Sequence, residues 1–476
     1  MAAGHHLTAE TAANVLLEGG TAIDAAIAAL AMSCVCEPVL ASPGGGGFAM
    51  LRDGATGQVE LVDFFPHTPK QRNPNAEGGI TEIEANFGAA TQVFHIGPAT
   101  AATPSLFEGL QFLHGHGATM SFDALIQPAI QSARRGVAIT PFQHYLSDVV
   151  RPIMMATEET ANVFAPNGEL VAVGETFRNP GLADAFEILA QGNFAASEVG
   201  AATIAAQRAR GHLTATDLND YQVVERTPKS IQIAGATVHL NPLPAASGTM
   251  IGHSLAHLES PTPVGIAKAF LATDKARNLA NGDFASLDSA VLRQLGTTHI
   301  SVIDSNGTAC AVTTSNGVGN GEIVEPFGFM LNNILGEEDI NPGDPHEWPL
   351  DVRMSSGMCP TLIEMPDGSL TALGSGGSNR IRSAICQVVV QMCLNGRDLD
   401  ESVRFPRLHV ENGHLDFEDL FGEEIRAELQ SLFPDHRAWP EPNLFYGGGH
   451  AARLDAHGRF SGVGDARRSG AAIIVG

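Results

Sequence analysis

Gly296-Thr297-Thr298-His299-Ile300-Ser301-Val302-Ile303-Asp304, then Ser305-Asn306-Gly307, then Thr308-Ala309-Cys310-Ala311-Val312-Thr313-Thr314-Ser315 is the stretch on which the fold turns. Two runs rich in Thr, Val and Ile, joined by a short Gly-containing loop, read as a β-hairpin. If Asp304 pairs with Thr308, Thr297 stands opposite Ser315. A bulge in the loop would shift this by one residue. A threonine at a strand start, directly after a glycine, then faces a hydroxyl on its neighbour.

That arrangement suits an N-terminal nucleophile. Cutting the Gly296-Thr297 bond would give Thr297 a free α-amine beside its own hydroxyl. Such an amine titrates at about 7.7–8.0 and can act as base for that hydroxyl near neutral pH. Before cutting, the same hydroxyl can attack the Gly296 carbonyl, and a glycine there leaves room for the tight geometry required. Taken alone, the stretch also fits an ordinary exposed hairpin with Thr at a strand end, because Thr favours strands.

The remainder of the chain bounds the answer. Its 476 residues are 44% hydrophobic and carry a formal net charge of −25. Such composition supports a large packed core. The acidic balance, with no basic cluster, argues against a nucleic-acid partner. Residues Met1-Ala-Ala-Gly-His-His lack the basic and apolar regions of a secretory signal, and Ala22 to Cys36 is too short to span a bilayer and contains Asp24. Cys34, Cys36, Cys310, Cys359, Cys386 and Cys393 form no disulfide framework and read as reduced core thiols. A cytoplasmic protein with no membrane partner is the expectation. No Cys/His set has zinc spacing, and His253 with His257 lacks the Glu of a zinc helix, so neither metal nor cofactor is expected.

In chain order, Leu7 to Glu18 reads as a helix stopped by Gly19-Gly20. Thr21 and Asp24 form a capping pattern for a buried helix to about Ala31. Phe48 to Arg52 and Val59 to Phe65 read as strands, and residues 68 to 82 as loop. Helices are expected from Thr103 to near His114, over Phe122 to Arg134, from Pro141, and two or three times within 181 to 221. Ala236 to Leu240 reads as strand, Pro242 to Gly248 as loop, and 261 to 296 as a short Ala-rich run. After the hairpin come a strand-like Phe327 to Leu331 and an acidic loop from Glu337 to Trp348. A strand from Ser369 to Gly374 leads through a glycine turn into a helix with Ile381, Ile385, Val388, Val389 and Met392 on one face. A further helix is expected within 420 to 433, and closing strands from Tyr446 to Val475. Helices before and strands in the centre, without βαβ alternation, indicate an α+β fold.

Several of these segments together resemble the γ-glutamyltransferase family of N-terminal nucleophile (Ntn) hydrolases. They are the central stretch, Glu18-Gly-Gly-Thr-Ala-Ile-Asp-Ala-Ala, Glu37-Pro38 with Gly44-Gly-Gly-Gly-Phe48, Leu331-Asn332-Asn333, Met354-Ser355-Ser356, Gly374-Ser-Gly-Gly-Ser-Asn-Arg380 and Phe405-Pro-Arg-Leu-His409. Their order and spacing run through nearly the whole chain. The resemblance implies a four-layer αββα sandwich, with residues 1–296 as a helix-rich large segment and 297–476 as a small segment sharing one core. The two fragments would stay associated after self-cleavage, with dimerisation left open. It also implies Gly296 and Thr297 as the processing pair, Thr297 as nucleophile, Ser315 as its hydroxyl partner, and Gly376 and Gly377 as oxyanion donors at a strand-to-helix turn. Ser355 and Ser356 would bind the substrate carboxylate. Thr298 and His299 read as structural.

The match departs from the family at the glutamate clamp. The Arg that should follow Asp63-Phe64 is Phe65, the Gln after Leu-Asn-Asn is Ile334, and the acidic residue beyond it is Glu337. The substrate-binding Asn falls at Gly317, with Asn316 adjacent. Losing a bidentate Arg–carboxylate contact weakens binding by several kcal/mol, on the order of a buried charged pair. Arg353 is the nearest replacement in sequence. Three functions follow: a self-processing hydrolase or acyl transferase on γ-glutamyl amides such as glutathione, an amidase of the same family on another small acyl amide, or an unprocessed binding protein.

Overall fold

The computed structural model describes residues 1–76, 78–86, 91–207, 209–279, 296–337, 341 and 344–475. Two antiparallel sheets lie at the centre. The first orders its strands Ala471–Ala472, Ala2–Ala3, Thr297–Ile303, Ala309–Ser315, Gly46–Arg52, Val59–Phe64 and Val224–Arg226. The second runs Phe460–Val463, Gly448–Leu454, Leu370–Gly376, Thr361–Glu364, Ala236–Leu240 and Lys229–Ile233. Thr297–Ile303 packs directly on Leu370–Gly376 and Gly448–Leu454, so the sheets face each other. The Ala22–Cys36 helix covers the first sheet over Thr297–Ile303 and Ala309–Ser315, and the Arg380–Cys393 helix covers the second. This is the four-layer αββα sandwich. Each sheet takes strands from both sides of residue 297, so cutting there leaves two fragments woven through one core.

Strand alternation sorts side chains between two apolar clusters. Ala49, Leu51, Cys310 and Val312 face the first helical layer. Their neighbours Phe48, Met50, Ala309 and Ala311 join the cluster shared by the two sheets and the second helical layer. The hairpin register is the one expected: Thr297 pairs with Ser315, and the Asp304 N–H bonds the Thr308 carbonyl at 3.0 Å, with no bulge.

The Thr21–Asp24 capping box forms, with Thr21 N–H to Asp24 Oδ2 at 2.8 Å and Asp24 N–H to Thr21 Oγ1 at 3.1 Å. Its helix runs past Ala31 to Cys36 with every residue buried, because residues 32–36 are equally apolar and Pro38 is the first breaker. Two expectations change. The loop of residues 68–82 ends early, in a strand beginning at Thr81 that pairs with Thr91–Ile96. The 242–248 loop gives way to a helix at Ser247, and Lys229–Ile233 is an additional strand with a half-buried alternating pattern. The 261–296 run is helical over Pro263–Leu279, and residues 280–295 lie outside the described residues. Among the described residues no helix is long and apolar enough to cross a membrane.

Candidate active site

The hairpin brings Thr297 to the end of the first sheet, 93% buried, with its Oγ1 donating to Ser315 Oγ at 3.4 Å. Ser315 Oγ accepts the Gly317 N–H at 3.0 Å and donates its own hydrogen to the Gly296 carbonyl. One hydroxyl therefore touches the Thr297 side chain and also polarises the carbonyl of the bond before it. That is the relation needed for attack on Gly296.

The glycine turn of the second sheet closes on the same point. Gly376 ends its strand opposite Gly448, and a Cβ placed on Gly376 would lie 2.2 Å from the Thr297 carbonyl oxygen. No side chain fits there. Gly377 has φ +121°, a conformation that L-residues rarely adopt. The Arg380–Cys393 helix starts three residues later, so the turn lies at the positive end of its dipole.

Residues 355–357 run alongside. Ser356 O accepts the Ala246 N–H at 2.9 Å, and Gly357 stands against Ser378 of the turn. Both serine hydroxyls bond backbone: Ser355 Oγ donates to Pro244 O at 2.8 Å, and Ser356 Oγ accepts Met358 N–H at 3.1 Å. Asn316 is buried beside Ser315, its Nδ2 3.5 Å from Leu331 O. Gly317, at φ +63°, admits Glu337: a Cβ there would meet Glu337 Oε1 at 2.3 Å and Asn333 Oδ1 at 2.1 Å. The Glu337 carboxylate is thus held close to the Thr297–Ser315 hairpin.

Phe65 and Ile334 are fully buried in the shared apolar cluster, with the Phe65 ring stacked on Phe48 at 5.3 Å. Arg353 lies behind Phe65. Its guanidinium donates to Phe65 O, the Tyr221 hydroxyl and Gln222 O, sits 3.6 Å from Asp63 Oδ1 and lies over the Tyr221 ring. It ties the end of the Val59–Phe64 strand to the 221–222 segment. His253 and His257 stack on each other, and His253 bonds Thr273 Oγ1 at 2.9 Å.

Thr298 and His299 are held in opposite layers. The neutral His299 ring bridges Thr313 Oγ1 and Ser301 Oγ at 2.7 and 2.9 Å between the sheets, and burial holds its pKa well below the usual histidine value. Thr298 Oγ1 donates to Glu37 Oε2 at 2.8 Å, and Thr8 Oγ1 to Glu37 Oε1 at 3.1 Å. In the sequence, the only sign of this role for Glu37 is a carboxylate that closes an apolar helix. Burial pushes Glu37 up to about 7 despite its two hydroxyl donors.

A carboxyl whose folded pKa exceeds its unfolded value favours folding fully below the unfolded value, about 4.5, and loses that contribution as pH rises through about 7. The loss amounts to about 3 kcal/mol for this buried group. Glu37→Gln is therefore expected to flatten the fall in melting temperature between pH 5 and pH 8. Parallel wild-type and variant melting curves across that range would refute this.

A family model described as gamma-glutamyltranspeptidase matches residues 8–269 and 268–475. The chain is 26% identical to the glutathione hydrolase proenzyme of Bacillus subtilis (strain 168), over 100% of this chain and 91% of that protein. It is 25% identical to the acylase ACY 1 proenzyme of Pseudomonas sp. (strain V22), over 99% of this chain and 92% of that protein. Its fold matches that of the cephalosporin acylase from Bacillus halodurans, with TM-score 0.83 and 20% identity over 100% of this chain and 96% of that one.

Proposed function

The chain belongs to the gamma-glutamyltranspeptidase family, whose members hydrolyse or transfer amides, and from that premise we propose that it is a self-processing enzyme with Thr297 as nucleophile. The observation that carries this reading is the contact chain from Thr297 Oγ1 to Ser315 Oγ to the Gly296 carbonyl, with Gly376 against the far side of Thr297. In processing, Thr297 Oγ1 attacks the Gly296 carbonyl carbon. The C–O bond forms, the C–N bond breaks, and the nitrogen takes the hydroxyl proton. Water then hydrolyses the ester, leaving a Gly296 carboxylate and a Thr297 with a free amine. That amine, titrating at about 7.7–8.0, takes the hydroxyl proton during attack on a substrate amide and returns it to the leaving amine. Gly376 and Gly377 N–H groups hold the oxyanion, and Ser315 orients the hydroxyl. The two fragments stay together because each supplies strands to both sheets.

The acyl group we favour is one without the glutamyl α-carboxylate. Phe65 and Ile334 offer buried apolar side chains where that carboxylate would need a cation and an amide. Arg353 is committed to Phe65 O, Tyr221 and Gln222. The relatives named glutathione hydrolase and acylase bracket the choice between the two acyl classes. Turnover of γ-glutamyl-p-nitroanilide and butyryl-p-nitroanilide separates them. We expect kcat/KM at least about 10-fold higher for the butyryl compound, in keeping with loss of one charged contact. A preference for the γ-glutamyl compound would assign the enzyme to glutathione-like donors, and Arg353→Ala would then raise KM for that substrate selectively.

A further inference from the structure

We propose that Arg468 is a positioning residue for the oxyanion turn, placing a fixed positive charge beside the Gly376 and Gly377 N–H groups; this rests on the reading that those two residues hold the oxyanion. A Cβ on Gly376 would lie 3.2 Å from Arg468 Nη1, and one on Gly377 3.3 Å from Arg468 Nη2. The guanidinium thus lies against both glycines, where a side chain on either would project. Its stem uses a third glycine. A Cβ on Gly448, the sheet partner of Gly376, would lie 2.8 to 2.9 Å from Arg468 Cβ, Cγ and Cδ. Two glycines on neighbouring strands, Gly376 and Gly448, and Gly377 in the turn that follows therefore form a slot for one arginine, and the floor of the slot is the Thr297 carbonyl.

The slot is rigid. Ser375 Oγ accepts the Gly448 N–H at 3.1 Å and donates to Gly376 O at 2.7 Å. Arg468 closes a short 3-10 turn, Ala466–Arg468, whose N-cap Asp465 accepts the Arg467 N–H at 3.0 Å, and its own N–H bonds Asp465 O at 3.2 Å. The Asp465 carboxylate is engaged by Arg407 and by the Gly449 N–H at 3.0 Å. Arg468 is 97% buried. Burial, with Arg380 and Arg407 nearby and Asp465 opposing, pulls its guanidinium down to about 9, so it is cationic at neutral pH. Arg380, at the first turn of the following helix, donates its Nε to Phe445 O at 3.1 Å and is a second charge near Arg468. A preorganised charge of this kind acts on the oxyanion that forms in acyl transfer, not on substrate binding.

The geometry also separates catalysis from processing. The carbonyl attacked in self-cleavage, Gly296 C=O, is polarised by Ser315 Oγ, whereas the glycine slot touches the Thr297 carbonyl. Neutral replacements at 468 should therefore still self-cleave. The test uses Arg468→Met, Arg468→Gln and Arg468→Lys in the full chain, with fragment masses and kcat and KM on the two p-nitroanilides. The expected result is self-cleavage in at least one neutral variant, kcat lowered on the order of 100-fold with KM within about threefold, and partial recovery of kcat in the Lys variant. Wild-type kcat in a cleaved neutral variant would overturn the proposal. So would a rise in KM without loss of kcat. Failure of both neutral variants to cleave would place Arg468 in folding or processing, and overturns it as well. Wild-type cleavage and turnover in the same series check the underlying reading independently of Arg468.

Discussion

Thr297→Ala remains a single uncut chain through long incubation, while the wild type resolves into two fragments of which the smaller begins at Thr297. The substitution removes the hydroxyl that donates to Ser315 Oγ and leaves the backbone pairing of Thr297 with Ser315 unchanged. Its cost to folding is small, about 1 kcal/mol from strand propensity and a minor loss of packing. Its cost to chemistry is the whole nucleophile, for which a fall of roughly 10⁶ in kcat is the scale seen when a hydrolase loses its attacking hydroxyl. Thr297→Ser keeps the hydroxyl, so it cuts, more slowly, because the lost methyl frees the side chain to rotate. Intact mass under denaturing conditions reads all three proteins. A cut Thr297→Ala chain would remove Thr297 from the mechanism. An uncut wild type would favour the binding-protein reading.

Gly376→Ala is the second large effect. The new Cβ would sit 2.2 Å from the Thr297 carbonyl oxygen and 3.1 Å from its carbon, both backbone atoms of a residue paired with Ser315 at the start of its strand. No side-chain rotation relieves that contact, so either the two sheets move apart locally or the glycine turn is displaced. Overpacking of this kind costs about 1–3 kcal/mol. Displacing an oxyanion donor costs at least about 100-fold in kcat. The expected variant is folded but less stable, with kcat/KM down at least about 100-fold. Gly115→Ala is the control, because a Cβ there meets nothing within 4 Å. It lies in the Leu106–Gly117 helix, where Ala is preferred over Gly by about 1 kcal/mol. Wild-type kcat in Gly376→Ala, measured beside that control, would show that the turn is not part of the site.

The parts of this site legible in the sequence are those within one local pattern. The Thr297–Ser315 pairing follows from loop length, since a slip of one residue would turn the whole strand over. The Thr21–Asp24 box follows from its three-residue spacing, and the Arg380–Cys393 helix from its apolar period. Boundaries were blurred where composition does not change, as at Ala31, where an equally apolar helix simply continues to Cys36. Lys229–Ile233 carries its strand signal only as a short half-buried alternation, without a motif to mark it.

By itself, then, the amino-acid order determined the layered α+β class, the hairpin register and the pairing of Thr297 with Ser315, because each depends on residues close in sequence. Only the tertiary structure decided what surrounds them. It turned Phe65 onto Phe48 and committed Arg353 to the Phe65 carbonyl from 288 residues away. It set Glu37 under Thr298 at a separation of 261 residues, and it laid Arg468 across Gly376, Gly377 and Gly448. The physical reason is that a glycine in the sequence says only that a side chain is absent. Which atoms use the space is fixed when distant strands pack together.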